Sequence, residues 1–230
     1  MEATLSDQLP AVRWVGEGGI LAYVIIADVV LETYFDAAQF TGWPIAQPSS
    51  DHILVLSGQM SRAEVGTAMA VLFDYTGVPA EPLAELHHLM DRHLVEAETL
   101  GLPGGLRLRD TVTRAQIVPG CCCGVEEWRD WREILYGDDE IWLGHGLGTT
   151  VQIENGVVRL HQIPLPEYPL HTLEIELGEL AVLLASVHRR LQGFLGLVGE
   201  WAGQVSPEAA DRLVEILDEN LQITDPLLLG

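Results

Sequence analysis

Apolar positions recur along this chain with two different periods, and the switches between them divide it into elements. Residues 20–31 (ILAYVIIADVVL) are apolar almost throughout and rich in β-branched side chains, the pattern of a central strand. Thr41 to Asp51 holds Gly, two Pro and two Ser, which reads as a loop. A short strand is predicted over His52 to Leu56. Ser61 and Glu64 then stand at capping-box spacing, and Val65, Met69, Leu72 and Phe73 repeat at helical intervals behind them. Gly77 falls just past the end of that helix. A second helix is predicted over 82–100, with Pro82 in its first turn and a stripe of Leu83, Leu86, Met90, Leu94, Ala97 and Leu100.

Gly101 to Gly105 interrupts the pattern and marks a candidate internal boundary. It separates an N-terminal α/β portion (1–100) from a C-terminal α+β portion (101–230), unless the two form one continuous domain. Residues 106–118 read as strand-like, and Pro119 to Gly124 as a tight loop. Val125, Trp128, Trp131 and Leu135 have helical spacing, so 125–136 is predicted as a short amphipathic helix stopped by Gly137. After a Gly-rich loop at 138–148, the run from Val151 through Asn155-Gly156 to Leu160 predicts a β-hairpin with a type I′ turn. Pro164, Pro166 and Pro169 mark an irregular connector, and Leu173 and Ile175 alternate with glutamates as a further strand. A long helix at about 179–198 has a seam of Leu180, Leu183, Leu184, Val187, Leu191, Phe194 and Val198. Ser206-Pro207 is positioned to start a last helix as N-cap and first residue. The expectation is an α+β fold: a mixed or antiparallel sheet, a C-terminal hairpin and several packed amphipathic helices.

Composition narrows the chemistry. The chain has 230 residues and 48% apolar content, enough for a substantial core. Its 34 acidic residues face 12 basic ones, all arginine, for a formal charge of −22. The absence of lysine excludes a Walker A loop, a kinase-type ATP lysine, a Schiff base and a pyridoxal-phosphate anchor. The leading reading of that absence is a GC-rich genome favouring arginine codons, with halophilic adaptation as the lesser alternative. The acidity argues against sequence-independent nucleic-acid binding, which is built on phosphate neutralisation, and favours basic partners. Met1-Glu2 lacks a basic leader, and the longest apolar run contains Asp28 and is too short for a bilayer. A cytoplasmic protein without a membrane anchor is therefore expected.

Cys121, Cys122 and Cys123 lead into a predicted helix N-terminus, where the dipole favours a thiolate. His145 would be the base if the fold brought it near. Glu126 and Glu127 in the first turn oppose thiolate formation, and the alternative is small apolar thiols packed in a tight loop. Cys121, Cys123 and His145 form a conceivable metal set, but a single cysteine run lacks the paired spacing of structural zinc sites. His87, His88, Asp91 and His93 crowd one helix without the HExxH arrangement, which suits a solvated polar face. Gly144, Gly146 and Gly148 follow Asp138, Asp139 and Glu140, whose charge would repel phosphate. No cofactor is expected.

Residues 126–140 hold seven acids, two arginines and the aromatics Trp128, Trp131 and Tyr136. If this helix borders a surface groove, it would suit a basic protein partner, through Glu126, Glu127, Trp128, Arg129, Asp130, Trp131, Asp138 and Asp139. The competing reading is a core tryptophan pair under a solvated charged face. The run Pro119-Gly-Cys-Cys-Cys-Gly-Val-Glu-Glu-Trp-Arg-Asp-Trp, with Trp142-Leu-Gly-His145, resembles a run in actinobacterial proteins of no established activity. The likeness extends over the C-terminal half and implies no functional residues. Some small acidic actinobacterial proteins are immunity proteins against secreted toxins, which is a likeness of type rather than of motif. The leading expectation is an acidic protein-binding module, immunity-like in kind. A Cys/His-dependent enzyme or metal protein at the CCCG loop is the alternative, and a DNA mimic would need a phosphate-like stripe of acids.

Overall fold

A computed structural model describes residues 12–13, 23–77, 101–120, 122–145, 148–163 and 171–229. The helix predicted at 82–100, with His87, His88, Asp91 and His93, lies outside the described residues, as do Cys121 and the 164–170 connector.

The elements in chain order are β1 (Val12–Arg13), β2 (Tyr23–Glu32), β3 (Ile53–Val55), α1 (Arg62–Tyr75), β4 (Gly104–Asp110) and β5 (Gln116–Ile117). A 3-10 helix (Val125–Tyr136), β6 (Thr149–Glu154), β7 (Val157–Gln162), β8 (His171–Glu176), α2 (Leu177–Val205) and α3 (Ala210–Leu221) follow. The fold is α+β with two antiparallel sheets. One runs β1-β2-β4-β5, with β3 paired to β2, and the other runs β6-β7-β8.

Local signals explain the elements that form as predicted. The Ser61 hydroxyl accepts from the Glu64 amide and the Glu64 carboxylate accepts from the Ser61 amide (2.7 Å), so the capping box closes the start of α1. Asn155 and Gly156 both take positive φ (52° and 78°), as a type I′ turn requires. All seven predicted seam residues of the long helix are buried. That helix, α2, packs against β2, α1, the 3-10 helix and α3 and so forms the spine of the core. The Gln162 side chain ties the sheets together, donating to the Val118 carbonyl (2.8 Å) and accepting from its amide (3.2 Å).

Three predicted elements differ from those observed. The strand-like run 106–118 is broken after Asp110, whose carboxylate accepts from the Val112 and Thr113 amides and the Thr113 hydroxyl. An aspartate bonded to its own downstream backbone makes a turn, so β4 folds back onto β5. Ser206 does not cap the last helix. Its amide donates to the Ala202 carbonyl (2.7 Å), closing α2, and Pro207 to Ala209 form a turn before α3. The helix at 125–136 has the predicted ends but winds as a 3-10 helix. Val125, Trp128, Trp131 and Ile134 recur every three residues and are all buried, matching three residues per turn. Ile134, rather than the predicted Leu135, completes the buried ridge.

The boundary expected at Gly101 to Gly105 falls inside the first sheet, because β4 begins at Gly104 and pairs with β2 along seven positions. A Cβ on Gly104 would lie 2.0 Å from the Val30 carbonyl oxygen, so only glycine allows this approach.

Candidate functional site

The buried ridge of the 3-10 helix sets the orientation of everything else on it. Trp128 and Trp131 are inside the core, where Trp128 stacks on His188 and donates from its indole nitrogen to the Leu221 carbonyl (2.9 Å). Arg129 also turns inward. Its Nε donates to the Gln222 carbonyl (2.8 Å), and its terminal nitrogens donate to the Asp225 and Pro226 carbonyls. These are carbonyls at and beyond the end of α3, which has no basic residue in its own last turn. Arg129 therefore caps a helix from outside it and satisfies acceptors that would otherwise be orphaned. Trp128, Arg129 and Trp131 are thus structural, not surface, groups.

The side chains left towards the surface are mainly carboxylates, with Glu127 half-buried among them. The ridge of Glu127, Asp130, Glu133 and Tyr136 repeats at three, and Glu126, Asp138, Asp139 and Glu140 flank it. Arg132 is taken up by Glu133, with Nε to Oε1 at 2.8 Å. Arg129 is thus withdrawn from an external partner, and Arg132 is paired at the surface with Glu133. Burial raises the Asp130 carboxyl pKa, and the charges of Glu127 and Glu133 add to the rise while Arg132 only offsets it. Glu126 is also raised. Its carboxyl is tucked against Gly124, where burial and the charge of Glu127 outweigh the bonds it accepts from the Glu126 and Leu102 amides. Two large aromatics stand in this neighbourhood well exposed, Tyr136 at 58% and Trp142 at 51%. A cleft of about 410 Å³ lined by Asp218, Glu219, Gln222, Thr224 and Asp225 adjoins the helix through the Arg129 bonds, continuing the acidic surface.

The cysteine loop is stitched down on both sides. The Gly120 amide donates to the Leu143 carbonyl (2.8 Å) and the Gly104 amide to the Cys123 carbonyl (3.1 Å). The first of these bonds joins the start of the cysteine loop to the loop bearing His145. The Cys123 amide closes a four-residue turn onto the Gly120 carbonyl (3.2 Å), and Cys122 within it has φ 69°, a left-handed value that favours glycine. Cys123 is buried, Cys122 is exposed, and His145 meets Trp142 edge-on at 5.0 Å. Among the described residues no three His, Cys, Asp or Glu side chains are grouped to hold a metal ion.

A second charged site was invisible to sequence spacing. Asp28 is buried on β2 and contacts three guanidiniums: Arg109 at 2.7 Å, Arg190 at 2.9 Å and Arg107 at 3.3 Å. Burial raises its pKa, but the hydrogen bonds and charges of Arg109 and Arg190 outweigh it, and the net shift is downward. Burial and the neighbouring Arg109 charge lower the Arg107 pKa, against the pull of Asp28. The only sequence hint was an ionisable residue inside the most apolar run of the chain. No helix among the described residues is long and apolar enough to cross a membrane. No protein-family model matches this chain, and neither a curated protein nor a solved structure is detectably similar to it.

Proposed function

We propose that the protein is a non-enzymatic cytoplasmic binding module that captures a basic protein partner, immunity-like in kind, on the acidic surface of the 3-10 helix. One observation carries this reading. The helix turns Arg129 inward and pairs Arg132 with Glu133, so carboxylates predominate on its outer surface, and that surface borders an acidic cleft. Mutual repulsion among Glu127, Asp130 and Glu133 is relieved when a cationic group docks beside them. Exposed Tyr136 and Trp142 supply apolar anchors next to the charge, the composition that concentrates binding energy at protein interfaces.

The test is co-purification with the product of a neighbouring gene, followed by affinity measurement across ionic strength. Affinity falling steeply with salt, and falling at least about tenfold when Asp130, Asp138 and Asp139 are changed together to Asn, is expected. A tight partner whose binding ignores salt would refute the electrostatic reading. A Cys/His activity keeps one supporting observation, the exposed Cys122 in a strained turn beside the His145 loop. Thiol alkylation rates across pH decide it, since ordinary thiol behaviour with no activation removes that reading.

A further inference from the structure

The Asp28 cluster is unusual for this chain because it concentrates positive charge where negative charge is plentiful. Three of the twelve arginines meet one carboxylate, although the chain has 34 acids to offer. Arg107 lies directly across from Asp28 in the β2–β4 register, and Arg109 lies across from Ile26 on the same face. Arg190 arrives from α2. The Val29 carbonyl accepts from the Leu56 amide (2.9 Å), on the β3 side of β2, so the Ala27 carbonyl two residues earlier points the same way. That stretch of edge lies between the β1 and β3 pairings, and Arg190 fills it by donating to the Ala27 carbonyl.

Donor accounting shows what is left over. A guanidinium offers five N–H groups, and a carboxylate accepts about four bonds. Arg107 and Arg109 each donate only through one terminal nitrogen to Asp28, and Arg190 donates one bond to Asp28 and one to Ala27. The Nε atoms of all three are buried with no hydrogen-bond partner among the described residues. Glu32 lies on the same face of β2 but makes none of the ion pairs with these arginines. Asp51 touches Arg107 only through long-range charge and is bonded to the Ser49 hydroxyl. Among the described residues, three guanidiniums set against Asp28 alone leave two positive charges, which the more distant Asp51 offsets only in part. They are not sealed off, since the Arg109 side chain is 38% exposed and Arg190 29%, against 12% for Arg107.

From these observations we infer that Arg107, Arg109 and Arg190, held in place by Asp28, form a binding site for a doubly charged phosphate group. Phosphate matches both the charge excess and the forked geometry of guanidinium donors. Asp28 orients the forks, and the unused terminal hydrogens of Arg109 and Arg107 are the donors to the ligand. The site does not depend on the partner-binding surface, and its test is separate.

Isothermal titration calorimetry of the full chain with inorganic phosphate, and in a second arm with a simple alkyl phosphate monoester, is the experiment. Saturable one-to-one binding of at least one of them is expected, weakened about tenfold or more in Arg109→Gln and unchanged in Arg159→Gln, a surface arginine of the other sheet. The alkyl arm separates a free-phosphate site from one for a phosphorylated molecule. Should Arg109→Gln misfold by circular dichroism, Arg109→Lys, which keeps the charge but not the fork, is expected to bind more weakly than the parent. Heats no larger than those of sodium chloride at equal ionic strength would overturn the inference. So would equal losses in the Arg109 and Arg159 variants, or acetate binding more tightly than phosphate.

Discussion

Arginine is drawn towards the interior at two places in this molecule and used in opposite ways. At the 3-10 helix, Arg129 meets neutral carbonyls at the end of α3, and its donors are answered without any carboxylate. Between β2, β4 and α2, three guanidiniums share Asp28, and their Nε donors lack acceptors among the described residues. The first arrangement removes a cation from the surface and leaves the carboxylates around it unopposed. The second gathers cations faster than it neutralises them. The same side chain thus builds an acidic pole in one region and a basic pole in the other, inside a chain whose net charge alone suggests uniform acidity.

The sharpest break in this comparison is Asp28→Asn. Removing the shared carboxylate leaves three partly buried guanidiniums repelling one another, and a loss of about 3–5 kcal/mol of stability in urea unfolding is expected. If Asp28 were only one of many counter-charges, the loss would be under about 1 kcal/mol. Arg129→Ala comes next. It orphans carbonyls at the α3 terminus and removes packing on Trp128, so about 2–3 kcal/mol is expected, with faster amide exchange across Ile223 to Leu229. Unchanged exchange there would show that the tail is held by other contacts. Arg109→Gln should cost less than about 1 kcal/mol, because two guanidiniums still reach Asp28 and the lost one is the most exposed.

The poles also respond to pH with opposite signs. Glu126 and Asp130 are raised above unfolded values near 4, so their ionised forms weaken the fold. That penalty lifts as pH falls through their folded values. Asp28 is lowered, so its contribution is present above about pH 4 and is lost as pH falls through its folded value. Urea midpoints are expected to be higher near pH 5 than at pH 7, then to collapse below about pH 3. A midpoint that declines steadily from pH 7 downward would mean the acidic pole carries no repulsion. The smallest effect expected is at Cys122→Gly, where relief of the left-handed backbone and the added chain entropy of glycine leave a change within about 1 kcal/mol.

The parts of the fold written in local pattern were readable in the sequence. The Ser61–Glu64 box, the Asn155-Gly156 turn and the α2 seam each depend on residues within a few positions of one another. Asp110 and Ser206 were misread because a turn-forming aspartate can look like a strand residue, and a Ser-Pro pair can follow a helix as well as begin one. The 3-10 winding was present in the spacing of Val125, Trp128, Trp131 and Ile134, but Leu135 also fits the α period and obscured it. The acidic surface was half legible: its carboxylates could be named, whereas the inward turn of Arg129 depends on carbonyls more than 90 residues away. Of the Asp28 cluster, only the aspartate's place inside the most apolar run was legible. The cluster joins positions 79, 81 and 162 residues apart, through a strand register and a helix contact that no local pattern encodes.

Residue-resolved titration of the carboxyl carbons by NMR tests the segregation of charge most directly, because it reads both poles in one experiment without any ligand. Asp28 should titrate below the ordinary carboxylate range, and Glu126 and Asp130 above it. An Asp28 carboxyl that titrates at or above its ordinary value, or Glu126 and Asp130 carboxyls that titrate below theirs, would contradict it.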